Sequence, residues 1–193
     1  MKSHVAILVS ILFGFFYVEA TATLHNNSFD AIRGCRQYEN VQSYEGPVQY
    51  LPVSSLRNVG TTSNSVYFKV GIVGPNDGII RYGPSQYPFE RDVIEIVISG
   101  WANTKSVGRR QRRNTSNQAN TVQLAEVLTR GLMSQFRPTM IKVEVFANGL
   151  VRVSKDNEKE AFLQFGDDHH VAPLFLGFTK WDRDLIVFYD CPL

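Results

Sequence analysis

Sulfur ligands are scarce in this chain: two cysteines and three methionines in 193 residues. A structural zinc site needs about four clustered Cys and His ligands, so so low a cysteine count argues against one, and no metal is expected. Charge of one sign is lacking as well, with 20 Lys and Arg against 18 Asp and Glu and a formal net charge of +2. Nucleic-acid surfaces need a net basic field, so bulk charge predicts no nucleic-acid partner. Beyond the first residues no apolar run approaches the roughly 20 residues of a spanning helix, and no membrane span is expected. Glycine-rich fingerprints that hold a nucleotide between a strand and a helix are missing too, so no cofactor is expected.

The chain opens with Met1, Lys2 and an apolar run from about Val5 to Val18, followed by Glu19-Ala20-Thr21-Ala22. A cation, a run of roughly 7 to 15 apolar residues and small residues in A-x-A spacing describe a secretory signal peptide. Ala20-Thr21-Ala22 is the favoured cleavage site and Val18-Glu19-Ala20 the alternative. Residues 1–22 are therefore expected to be removed, 23–43 to form an N-terminal arm and 44–193 a single domain. In an oxidising compartment Cys35 and Cys191, one near each end of the mature chain, are expected to form a disulfide. Asn26 and Asn114 head glycosylation acceptor triplets in such a secreted, extracellular chain.

Past the leader, apolar alternation and turn residues recur. Segments 66–73, 78–82, 92–99, 104–110, 121–129, 140–147, 150–155, 161–166, 174–179 and 184–190 read as strands. About ten short strands in one domain predict an all-β fold, a single-domain antiparallel β-sandwich of jelly-roll type. Residues 131–138 allow one helical turn before Pro138 stops it. Around "KVEVFANGLVRVSK" a two-residue loop would mix apolar and charged residues on both faces. A three-residue loop, Ala147-Asn148-Gly149, instead pairs Val145 with Val151, Val143 with Val153 and Glu144 with Arg152. The matching turn closes in a bulge with Gly149 at positive φ.

In "DVIEIVISGW" Ile94, Ile96 and Ile98 point one way and Val93, Glu95 and Val97 the other, so 92–99 is an inner strand. Trp101 then either seals the end of the sandwich, the favoured reading, or stands ready for a ligand. Residues 94–107, "IEIVISGWANTKSV", followed by Arg109-Arg110, resemble the signature of the farnesoic acid O-methyltransferase-like domain of arthropod and other animal proteins. "YLPV" (50–53), "PNDGII" (75–80), "NGLVRV" (148–153) and "LGFTKW" (176–181) are similar to other landmarks of that family, so the resemblance spans roughly residues 44–190. There are departures: Ser99 stands where the family has the first glycine of Gly-Gly-Trp, and Gly108 interrupts a hydrophobic-Arg-Arg run.

The family name implies methyl transfer from S-adenosylmethionine to farnesoic acid. That activity fits poorly with a chain that lacks the strand-helix alternation and glycine-rich turn of the usual cofactor fold. In "GDDHH" (166–170) neighbouring residues on a strand face opposite ways and cannot all converge on a metal, so a solvated turn is expected. Arg109, Arg110, Arg112 and Arg113 allow three readings: convertase cleavage after Arg113, an anion-binding cluster, or a solvated hairpin end. The reading that results is a secreted, non-enzymatic recognition module for a glycan, a small lipid or a protein, acting in defence or haemolymph. Its candidate ligand-binding residues are Trp101, Arg109, Arg110 and Trp181. The alternatives are a lipid or terpenoid carrier with a hollow interior, which ten phenylalanines after the leader argue against, and the enzyme of the family's name.

Overall fold

The computed structural model describes residues 27–193; the leader segment and the Asn26 acceptor lie outside the described residues. Among the described residues the chain forms β1 (Arg36–Tyr38), β2 (Gln42–Ser43), β3 (Leu51–Pro52), β4 (Gly60–Thr61), β5 (Ser65–Val73), β6 (Gly78–Gly83) and β7 (Asp92–Ser99). These are followed by β8 (Lys105–Arg113), β9 (Ala119–Leu128), β10 (Thr139–Phe146), β11 (Leu150–Lys155), β12 (Leu163–Gly166), β13 (Phe175–Lys180) and β14 (Ile186–Tyr189). From β5 onward each strand coincides with a segment of apolar alternation. The four short strands β1 to β4 have too few residues to show a period, and their pairing partners β14, β13 and β5 define them.

The strands form two seven-stranded sheets, β1-β14-β5-β10-β11-β12 with β4 beside β5, and β2-β13-β6-β7-β8-β9 with β3 beside β13. Strand pairing is antiparallel except where β2 runs parallel to β13. The sheets face each other through Phe68, Val70, Ile141 and Val143 on one side and Ile80, Ile94, Ile96 and Phe178 on the other, each no more than 2 % exposed. A side chain buried to this degree contributes about 1.5–3 kcal/mol, so the β-sandwich is held by its filled interior.

The hairpin of β10 and β11 has the register argued from its sequence, with Val143 opposite Val153, Glu144 opposite Arg152 and Val145 opposite Val151. Gly149 takes φ +83°, and its N–H donates to the Phe146 carbonyl at 2.9 Å. A Cβ at position 149 would also overlap the Asp167 carbonyl oxygen, so the turn needs glycine for two reasons. Gly108 is fixed by packing: the Phe165 ring of the opposite sheet occupies the place of its side chain.

Residues 131–138 form turns and bends, with no helical turn. Asn103 takes up the backbone of Met133, donating from Nδ2 to its carbonyl at 2.8 Å and accepting from its N–H at 3.2 Å, groups that a helix would need for itself. The Cys35–Cys191 disulfide forms next to the pairing of β1 with β14 and joins positions 156 residues apart. No helix among the described residues is long and apolar enough to cross a membrane.

Candidate binding face

The outer side of the second sheet, away from the core, is where the sequence departs from simple amphipathic alternation. Residues 44–50 fold over it, so side chains that point out of the sandwich are still buried. Arg81 of β6 lies directly opposite Glu95 of β7, which lies opposite Arg109 of β8. The result is a cross-strand row of cation, anion and cation. Glu95 is fully buried and accepts from Arg81 Nε at 2.7 Å, Arg109 Nη2 at 2.9 Å and the Tyr44 hydroxyl at 3.2 Å. Burial works against the Arg81 charge, but the Glu95 carboxylate and Tyr50 outweigh it, and its pKa lies above the ordinary guanidinium value. Burial likewise pushes up the Tyr50 hydroxyl, even with Arg81 beside it.

Arg113 extends this row of cations. The Arg81 and Arg113 guanidiniums each sit 4.7 Å from the Tyr44 ring centroid. The other neighbour of Tyr44 is Trp181, at 4.9 Å between centroids. At the opposite end of the face, Trp101 has Lys105 Nζ at 4.2 Å and the Arg109 guanidinium at 5.9 Å from its ring. Arg109 thus connects an exposed indole to a buried carboxylate.

Trp101 does not seal the sandwich. It is 48 % exposed because the turn that carries it is left-handed: Ser99, Trp101, Ala102 and Asn103 all have φ between +51° and +63°. Each non-glycine residue in that region costs about 1–2 kcal/mol. The turn is held by the Ser99 carbonyl accepting from the Asp77 N–H at 3.1 Å, the Thr104 hydroxyl donating to the Trp101 carbonyl at 2.7 Å and the Asn103 contacts to Met133. The glycine that the resembled signature has at position 99 suits this backbone conformation, and Ser99 adopts it at a cost. Burial, followed by the nearby Asp182 charge, raises the pKa of Asp77 in the adjoining β5–β6 turn.

Trp101 and Arg109 adjoin at one end of this face, Trp181 stands beside Tyr44 at the other, and Arg110 does not join them. Strand alternation sends Arg110 to the other side of β8, where Nη1 binds Asp167 at 2.7 Å and also pairs with Asp168. That contact lowers the Asp168 pKa. The turn at 166–170 is only partly solvated: Asp167 is buried and accepts from the backbone N–H groups of His169 and Val171. His169 turns away to Asp92, with Nδ1 to Oδ2 at 2.6 Å, and no metal-holding group of side chains occurs among the described residues. Asn114 lies in the β8–β9 turn, where its side chain bonds both backbone and side chain of Gln118. The Arg113 carbonyl accepts from the Glu90 N–H at 2.7 Å, so the peptide after Arg113 is engaged in the sheet.

Beside the charged row lies a cleft of about 420 Å³. Val48, Tyr50, Phe89 and Val93 form its apolar walls, and Arg81, Gln111 and Arg113 bring polar groups to it. Sequence reading missed this cleft. The available signal was a lone glutamate in an otherwise apolar inner strand, which demands a partner wherever it is buried.

The family model described as farnesoic acid O-methyl transferase matches residues 44–193, more than three quarters of the chain. The chain belongs to this family. No curated protein matches this member of the farnesoic acid O-methyltransferase family. Among solved structures it is similar to a β-1,3-1,4-glucanase (lichenase) derived from a mouse hindgut metagenome, with 16 % identity over 74 % of this chain and 76 % of that one and a TM-score of 0.44. A Bacillus licheniformis β-glucanase shares 13 % identity over 81 % and 89 % of the two chains, with a TM-score of 0.42. An alginate lyase from Pseudomonas aeruginosa shares 9 % over 66 % and 62 %, with a TM-score of 0.27.

The cofactor in the family's name does not fit the described residues. The glycine-containing turn 74–78 joins two strands, and residues 100–103 are a four-residue left-handed turn, too short to present the N-terminus of a helix to an anion.

Proposed function

We propose that the protein is a secreted, non-enzymatic recognition module that binds a glycan on the outer face of its second sheet. The observation that carries this reading is the strained left-handed turn that holds Trp101 out beside Lys105 and Arg109. Backbone strain concentrates at functional sites, and a half-exposed indole ringed by cations offers a stacking platform next to hydrogen-bond donors. Trp181, 55 % exposed, supplies a second aromatic surface on the same face. The carrier alternative finds little support, since the space between the sheets is filled and the 420 Å³ cleft lies outside the sandwich.

Binding to a panel of glycans by the mature, disulfide-intact protein tests the reading. Trp101→Ala and Arg109→Ala are each expected to weaken or abolish the interaction while the fold is retained; unchanged binding in both variants defeats the assignment of this face. Saturable binding of S-adenosylmethionine would instead restore the enzyme reading. The intact mass and N-terminal sequence of the secreted protein test removal of residues 1–22, sugar at Asn26 and Asn114, and an uncut bond after Arg113.

A further inference from the structure

The cleft beside Arg113 contains an imbalance of charge and of hydrogen bonds. Arg81, Arg109 and Arg113 supply three cations to this part of the face. Glu95 is the one buried carboxylate among them, and Glu45, largely exposed, reaches Arg113 only at 3.7 Å. Arg81 Nη2, Arg113 Nε and Arg113 Nη2 are buried with no hydrogen-bond partner, and so is Gln111 Oε1. Arg81 and Gln111 are each only 2 % exposed and both line the cleft. Buried guanidinium donors left open cost far more than they would in water, so an acceptor that fills them gains accordingly.

The chemistry of the open atoms selects a ligand. Guanidinium nitrogens require an oxygen acceptor, best an anionic one, while Gln111 Oε1 requires a donor such as a hydroxyl. Tyr50, Phe89 and Val48 present apolar surface of the kind that packs against the C–H face of a pyranose ring. We propose that the cleft is a subsite for an acidic sugar, with the anionic group on Arg81 and Arg113 and a ring hydroxyl on Gln111. The inference rests on the recognition-module reading and adds that the glycan it binds is acidic.

Isothermal titration of the mature protein with tetragalacturonate, a heparin-derived tetrasaccharide and neutral maltotetraose tests this, using Arg113→Gln, Val48→Trp to fill the cleft, Trp101→Ala, and Arg152→Gln on the opposite sheet as a charge control. Thermal melts establish that each variant is folded. The expected result is binding of one or both acidic probes and much weaker binding of maltotetraose. Arg113→Gln should weaken the acidic interaction by roughly 10- to 100-fold, the factor of a charge-assisted hydrogen bond, and Val48→Trp should abolish it. Arg152→Gln should leave it unchanged. Preference between the two acidic probes distinguishes a carboxylate from a sulfate. Equal binding of maltotetraose, lost in Trp101→Ala but indifferent to the cleft variants, overturns the acidic-sugar inference and leaves the recognition module standing. Acidic binding that ignores both cleft substitutions shows surface attraction and also overturns it. Silence with every saccharide removes the module reading and the inference together.

Discussion

Replacing Glu95 by glutamine removes one charge and almost no volume from the middle of the Arg81–Glu95–Arg109 row. Arg109 is partly exposed and can turn to water, but the Arg81 side chain is 3 % exposed and cannot. Removing one partner of a buried pair costs about 3–5 kcal/mol, most of it the penalty of the charge left behind. A domain of this size loses roughly 2–4 °C of melting temperature per kcal/mol, so Glu95→Gln should melt roughly 6–20 °C lower at pH 7. The contrast is Lys155→Gln, which breaks a half-exposed pair with Glu158 and should cost less than about 1 kcal/mol. Differential scanning calorimetry of both variants reads the difference directly. Combining Glu95→Gln with Arg81→Met should recover much of the loss, since it takes away the buried cation that Glu95→Gln leaves without a partner. A Glu95→Gln melting point within about 3 °C of the parent, or no lower than that of Lys155→Gln, would refute the account of this row as a dry, mutually dependent charge system.

Gly149→Ala should destabilise by about 2–5 kcal/mol, as the sum of a left-handed backbone penalty and a clash with the Asp167 carbonyl, read as a lower denaturant midpoint with unchanged slope. The double change Cys35→Ala and Cys191→Ala should cost about 2–4 kcal/mol by releasing a long loop in the unfolded chain, measured by urea titration without reductant. Asp77→Asn should raise stability at pH 7. Because burial raises the folded pKa above the ordinary 3.8, the ionised form is disfavoured in the native state, and the benefit of neutralising it fades as pH falls through the folded value and vanishes below 3.8. Urea midpoints at pH 7 and pH 3 measure that difference.

The sandwich was legible because a strand with one buried face must alternate, as β10, β11 and β12 do, while β6 and β7 read as the apolar runs of inner strands. The β10–β11 hairpin was legible down to its register, since only one loop length segregates Val143 and Val145 from Glu144. The candidate face was legible in part. Trp101, Arg109 and Trp181 were singled out from residue chemistry and lie on it, but Arg110 was grouped with Arg109 although adjacent strand residues face opposite ways. The cleft was not legible for a different reason. Alternation places Arg81, Glu95 and Gln111 on the outward side of their strands, yet eight residues separate β6 from β7, so no tight turn fixes which residues stand opposite. Nor does any pattern in residues 44–50 indicate that they close over this side of the sheet and make it dry. Ser99 posed a third kind of difficulty: only its φ of +54° shows that the preference for glycine there comes from the backbone.

β14 lies between β1 and β5, and β13 lies between β2 and β6. Both early edges of the domain are therefore completed by strands synthesised last. On a ribosome, the 71–73 end of β5, beyond its pairing with β4, and the open side of β6 must wait for residues 175–189, and for that interval they present unpaired backbone and apolar side chains. Chains of such long-range topology fold in milliseconds to seconds and are vulnerable to association while they wait. Folding yield in the cell should thus depend on what shields β5 and β6 during synthesis, and a C-terminal truncation that removes β14 should be recovered as aggregate, with no smaller sandwich in its place.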